Sequence, residues 1–152
     1  MDYDEGKIAI ARNCFSKNDR ISFRTADVSE FEITPKNGFV LGDVLHYLAP
    51  EKQDELLRKC IQNLLPGGVI LIREANSELE SRHRRSRLTE FFSTRIGFNK
   101  TSAAGNTLHF TSAGRIKAIV NEPGLSMEVI DNKKVTSNNL FVIRARQELP
   151  KI

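Results

Sequence analysis

Two apolar segments, GFVLGDVLHYL (Gly38 to Leu48) and VILIRE (Val69 to Glu74), bracket an amphipathic stretch, and this constrains the fold more than any other feature. Apolar runs without alternation suit strands covered on both faces, as in a parallel sheet. Between them, Pro50 fits the first turn of a helix, where its missing amide hydrogen costs nothing. In EKQDELLRKCIQNL, the residues Leu56, Leu57, Cys60, Ile61 and Leu64 then form one wide buried stripe. LLPGG, Leu64 to Gly68, is expected to stop the helix, because proline cannot continue it and glycine can turn the chain back. Strand, helix and strand in about 35 residues make a βαβ unit with a right-handed crossover.

The flanking segments fit one α/β domain spanning residues 1 to 152. Asp4 can cap a helix starting at Glu5, with Ile8, Ala11 and Phe15 on its apolar face. ISFRTADV, Ile21 to Val28, alternates like a short strand ending at Asp27, followed by the loop SEFEITPKNG. After the βαβ unit, a helix is expected over about residues 78 to 96, with Leu88, Phe91, Phe92 and Ile96 on one face, and a polar loop from Gly97 to Asn106. A short helix then carries Ile116, Ile119 and Val120 and ends near Pro123 and Gly124. Leu125 to Asp131 and Asn139 to Arg146 read as an antiparallel hairpin at one side of the sheet.

Composition narrows the function classes. The net charge of +4 comes from 23 basic residues interspersed among 19 acidic ones, a weak signal for nucleic acid. SRHRRSR, Ser81 to Arg87, concentrates charge, but successive helical residues point in different directions. It reads as solvated helix surface or as a patch for an anionic substrate, phosphate or membrane surface. No basic stripe with interleaved aromatics supports a nucleic-acid module. Cys14 and Cys60 lack a C-x-x-C partner and read as buried small residues. His46, His83 and His109 are too dispersed for a zinc or triad site, so no metal is expected. No apolar run is long enough for a membrane span and no signal-peptide pattern is visible, so a cytoplasmic location is expected.

The remaining chemistry lies at the carboxyl ends of the expected parallel strands, where ligands of open α/β sheets bind. There stand Asp2, Asp27 and the segment from Gly42 and Asp43 to Tyr47. In order and spacing, MDYDEGKIAIA, TADV and FVLGDVLHYLAPEKQDELLRKCIQNLLPGGVILIRE resemble the middle and later motifs of class I S-adenosylmethionine-dependent methyltransferases. The resemblance implies a Rossmann-like, mostly parallel sheet with a C-terminal antiparallel hairpin and S-adenosylmethionine as cofactor. It places Asp2, with Tyr3 beside it, at the ribose hydroxyls, and Asp27 with Val28 at the adenine. Gly42, Asp43 and Val44 fall near the methionine part and the transferred methyl group. DVLHYL, RLTEFFSTRIGFNKT and VTSNNLFVIRA more narrowly resemble the methyltransferase-type domain of bacterial acyltransferase fusion proteins.

One departure bears on activity. The family's first strand and glycine-rich loop of the D-x-G-x-G type, which wraps the amino-acid moiety, have no counterpart in this sequence, nor has most of the second strand. The chain alone is therefore expected to be inactive, or a non-catalytic remnant or interaction domain. For the intact family, the reaction is transfer of the sulfonium methyl to a nucleophile, with a small-molecule or lipid-like acceptor expected here. His46 suits a base and Tyr47 an acceptor-pocket wall, although both also suit simple packing. Arg73 and Glu74, at the exit of the fifth strand, are weaker candidates for contacting the acceptor. In the family order 3-2-1-4-5-7-6 the absent strands separate the third from the fourth, so the expectation is a third strand moved alongside the fourth, or a homo-oligomer across that edge.

Overall fold

The computed structural model describes residues 1–14, 19–75, 108–131 and 138–147. They fall into two compact units, one within residues 1–32 and one within 33–147.

In the first unit, helix α1 spans Glu5–Arg12. Asp4 caps it as expected: its Oδ1 accepts from the Gly6 N–H at 2.8 Å and the Lys7 N–H at 3.3 Å. Ile8 is buried, while Phe15 lies outside the described residues. The strand expected over Ile21 to Val28 reduces to one parallel bridge, Asp2 with Thr25. The Asp2 N–H donates to the Arg24 carbonyl at 3.2 Å, and the Ala26 N–H donates to the Asp2 carbonyl at 3.0 Å. A strand needs a ladder of partners, and Asp2 alone supplies this one.

The second unit is built on a four-stranded sheet. Its elements are β1 (Lys36–Gly42), a 3₁₀ turn (Leu45–Tyr47), α2 (Pro50–Gln62), β2 (Leu64–Ala75), α3 (Ala113–Val120), β3 (Leu125–Asp131) and β4 (Asn138–Ala145). The strand order is β1-β2-β4-β3, with β1 and β2 parallel and both other pairings antiparallel. This reproduces the 4-5-7-6 half of the expected order. The third strand has not moved alongside the fourth: among the described residues β1 is an edge and pairs with β2 alone. The long helix over 78–96, the basic patch at 81–87 and the loop over 97–106 lie outside the described residues.

LLPGG does not end the helix. Asn63 does, its N–H and Nδ2 both donating to the Lys59 carbonyl, at 3.2 and 2.9 Å. Leu64, assigned to the helical stripe from sequence, is the first residue of β2. The register then jumps from Lys36 opposite Leu64 to Gly38 opposite Val69, so four residues of β2 bulge where β1 passes one. Gly67 takes φ +74°, and a Cβ on Gly68 would lie 2.7 Å from the Leu65 carbonyl oxygen and 2.8 Å from that of Asn37. Both glycines serve this bulge.

The register puts Leu41, Ile70, Ile72, Phe141 and Ile143 on one face, and all five are buried. Helix α2 contacts β2 and α3, and α3 contacts β3. The helices bury Leu56, Leu57, Cys60 and Ile61 from α2 with Ile116, Ile119 and Val120 from α3. Each fully buried aliphatic side chain contributes roughly 1.5–3 kcal/mol. On the opposite face Val40 is 76% exposed. Thus the sheet's core side faces the two helices, and the same side carries Glu74 and Asn139 at the end where the polar residues gather.

Candidate functional site

The chain leaves β1 through Gly42 and Asp43, opposite the exit of β2. Asp43 has φ 53°, the left-handed region that aspartate tolerates better than most residues, and this redirects the backbone into the turn. Its N–H donates to the Arg73 carbonyl at 2.9 Å, and its carboxylate meets Arg73 Nη1 at 3.4 Å. Both side chains are exposed, so water screens this ion pair.

One turn further, the arrangement becomes buried and dense. His46 is 3% exposed and Glu74 is fully buried. Glu74 Oε1 accepts from the Leu45 N–H at 2.7 Å, and Oε2 meets His46 Nδ1 at 2.7 Å. A carboxylate only accepts, so Nδ1 carries the proton and the other ring nitrogen, Nε2, is the atom at which the neutral ring can take one up. The ring is also confined by aromatic neighbours: Tyr47 at 4.2 Å between centroids, and Phe110 stacked at 5.6 Å with 26° between the planes. Glu74 and Asn139 are register partners on β2 and β4, so their side chains share one face of the sheet. Asn139 is buried as well.

The turn is fastened from behind by Gln53 of α2, which is 2% exposed. Its Nε2 donates to the carbonyls of Leu45 at 3.0 Å, Leu48 at 3.0 Å and His109 at 2.6 Å. The His109 N–H in turn donates to the His46 carbonyl at 2.9 Å. Residues 108–112, which lead into α3, thus share a hydrogen-bond network with the turn.

In the other unit, the Asp2–Thr25 bridge sets Asp2 and Asp27 at the carboxyl ends of neighbouring parallel segments. Asp2 is exposed and uses one oxygen to accept from the Asp4 N–H at 2.9 Å. Half-buried Asp27 accepts at Oδ1 from the Ser29 N–H at 2.8 Å and the Ser29 hydroxyl at 2.7 Å. Tyr3 is 46% exposed beside Asp2, and Val28 is half-buried beside Asp27.

No family model matches the chain. A curated relative, the carboxy-S-adenosyl-L-methionine synthase of Desulfotalea psychrophila, is 28% identical over 94 residues, covering 62% of this chain and 37% of the relative. The N-methyltransferase NodS from Bradyrhizobium japonicum WM9, solved with S-adenosyl-L-homocysteine, matches 97% of this chain and 65% of its own at TM-score 0.62 and 17% identity. Human N-acetylserotonin methyltransferase, solved with S-adenosylmethionine, matches 96% and 39% at TM-score 0.63 and 20% identity. The chain shares the fold of class I S-adenosylmethionine-dependent methyltransferases. It spans little more than a third of its curated relative.

Within this methyltransferase fold, the structure brings His46, Tyr47 and Glu74 together, and pairs Asp43 with Arg73. Sequence reasoning missed Gln53 and Asn139. A signal for Gln53 was present: it stands three and four residues before Leu56 and Leu57, a polar group on the buried stripe. Among the described residues no group of histidine, cysteine, aspartate and glutamate could hold a metal ion, and no helix is long and apolar enough to cross a membrane.

Proposed function

We propose that the chain carries the acceptor-side chemistry of an S-adenosylmethionine-dependent methyl transfer, with His46 as general base and Glu74 as the residue that orients it. The observation supporting this most strongly is the 2.7 Å contact of His46 Nδ1 with buried Glu74 at the strand exits. Fixing the proton on Nδ1 leaves Nε2 in the correct form to accept a proton from an acceptor hydroxyl or amine, and the negative carboxylate stabilises the imidazolium that results. Both Glu74 oxygens are already engaged, so its influence on an acceptor runs through His46. Tyr47 and Arg73 flank the same exits and line the acceptor side, where a small-molecule or lipid-like acceptor is bound.

The cofactor, when bound, supplies the electrophilic methyl group. The residues present suit it: exposed Asp2 uses one oxygen locally and retains capacity for ribose hydroxyls, with Tyr3 alongside. Asp27 and Val28 face the adenine in this reading, and Gly42 and Asp43 the methionine part. No glycine-rich loop for the amino-acid moiety stands in these 152 residues, so the chain by itself holds the cofactor weakly and turns over little, as a domain of a larger acyltransferase fusion.

Calorimetry with S-adenosylhomocysteine tests this. The chain joined to a glycine-rich strand, loop and helix should bind it, and Asp27→Ala should weaken that binding about tenfold, the worth of one charge-assisted hydrogen bond. Binding unchanged in both Asp2→Ala and Asp27→Ala, or tight RNA binding with a steep salt dependence, would count against it.

A further inference from the structure

We propose that Gln53 is a positioning residue for methyl transfer, acting through His46 by locking the peptide planes on both sides of it. This rests on the reading of His46 as the base. The stripe of α2 needs only an apolar side chain at this position, because Leu56, Leu57, Cys60 and Ile61 already define an apolar surface. An amide placed there costs free energy unless its polar atoms are bonded. Its Nε2 has two hydrogens and meets three carbonyl oxygens, those of Leu45, Leu48 and His109, so at least one hydrogen is shared.

The identity of those carbonyls gives the contact its purpose. The Leu45 carbonyl belongs to the peptide entering His46, and Gln53 holds it. The His46 carbonyl belongs to the peptide leaving it, and the His109 N–H holds that one at 2.9 Å. Gln53 also holds the His109 carbonyl at 2.6 Å, which closes a ring from α2 through the turn to residues 109–110 and back. With both peptides fixed, only the two side-chain torsions of His46 remain, and Glu74 and the Phe110 stack set those. Removing the amide therefore frees the backbone beneath the imidazole as well as lowering stability.

Nuclear magnetic resonance of the full chain separates these effects. The variants are Gln53→Met, unbranched and of similar length but without donors, and Gln53→Glu, which keeps the shape and offers one donor only when protonated. Arg115→Met is the control: it removes the paired bonds from Arg115 to Asp54 at 2.9 and 3.0 Å, which join α3 to α2 without touching the turn. In Gln53→Met the ring contacts between His46 and Phe110 should be lost, and exchange of the His109 amide should rise about tenfold or more relative to the core of α2. Gln53→Glu should fall between this and the parent, and Arg115→Met should leave both signals in place. If Gln53→Met does not fold, the decision passes to Gln53→Glu and to the parent chain, whose His109 amide should be as protected as the core of α2. A folded variant that keeps both signals, or an unprotected His109 amide in the parent, would overturn the proposal. Failure of His46 as the base shows differently, as methyl transfer that survives His46→Ala, and leaves these spectra unchanged.

Discussion

The turn around His46 and the strand ends carrying Asp2 and Asp27 occupy equivalent places, at the carboxyl ends of parallel segments, yet they are held in opposite ways. His46 is fixed by partners far along the chain: Glu74, 28 residues on, and Gln53 reaching His109 across 56. By contrast, the Asp2 carboxylate accepts from the Asp4 N–H and Asp27 Oδ1 from the Ser29 N–H, each two residues on. A carboxylate that binds a ligand directly needs capacity left over, and the single local bond of Asp2 leaves it. A base must have one ring nitrogen and one direction defined, and that takes several elements packed together.

Mutation of Glu74 should break this contrast most severely. Glu74→Ala leaves the Leu45 N–H and the His46 ring buried without their acceptor, at a cost of about 3–5 kcal/mol, whereas Asp2→Ala should stay within about 0.5 kcal/mol. Urea denaturation reads both, and an equal loss in the two variants would erase the distinction. Gly68→Ala comes next, at roughly 1–3 kcal/mol, because its Cβ would collide with the Leu65 and Asn37 carbonyls and disturb the register that brings Gly42 opposite Arg73.

Cys60 sharpens the comparison through pH. Burial among the α2 side chains pushes its thiol from 9.0 to about 11. A raised folded value contributes stability below 9.0 that is lost as pH rises toward about 11, so the urea midpoint should fall across that window and Cys60→Ala should remove the fall. On the locally bonded side the largest effect should be loss of the α1 cap: Asp4→Ala should cost about 1 kcal/mol, visible as reduced helicity.

The smallest effect belongs to exposed Glu55, whose hydrogen bonds to Lys59 and Lys52 hold its carboxyl at about 2. A lowered folded value means its contribution is present above the ordinary 4.5 and disappears as pH falls through about 2. Glu55→Gln should remove that small acid dependence, and salt should weaken it in the parent.

The same contrast explains what could be read from the sequence. Asp4 as a helix cap, Pro50 at the start of α2 and the hairpin of β3 and β4 depend on neighbouring residues or on periodicity, and they stand where expected. The end of α2 did not, because Asn63 could cap the helix before Pro66 and Gly67 acted, and the pairing of β1 drew Leu64 to Gly68 into the sheet. The strand over Ile21 to Val28 shrank to a bridge because alternation describes a strand's faces and says nothing of its partners. His46 and Glu74 were each visible as polar residues at strand exits, but their contact depends on the register of two strands and the shape of a turn. Gln53 was marked only as a polar residue on the buried stripe of α2; the carbonyls it meets, 5 to 56 residues away in the chain, depend on the fold.

The tautomer of His46 tests the central claim most directly. In a nitrogen–proton spectrum of the folded chain, the imidazole proton should sit on Nδ1, shifted downfield and exchanging slowly because Glu74 accepts it, and Glu74→Gln should move or abolish that signal. An Nε2-protonated ring whose proton exchanges as fast as that of a surface histidine, and which ignores Glu74→Gln, would contradict it.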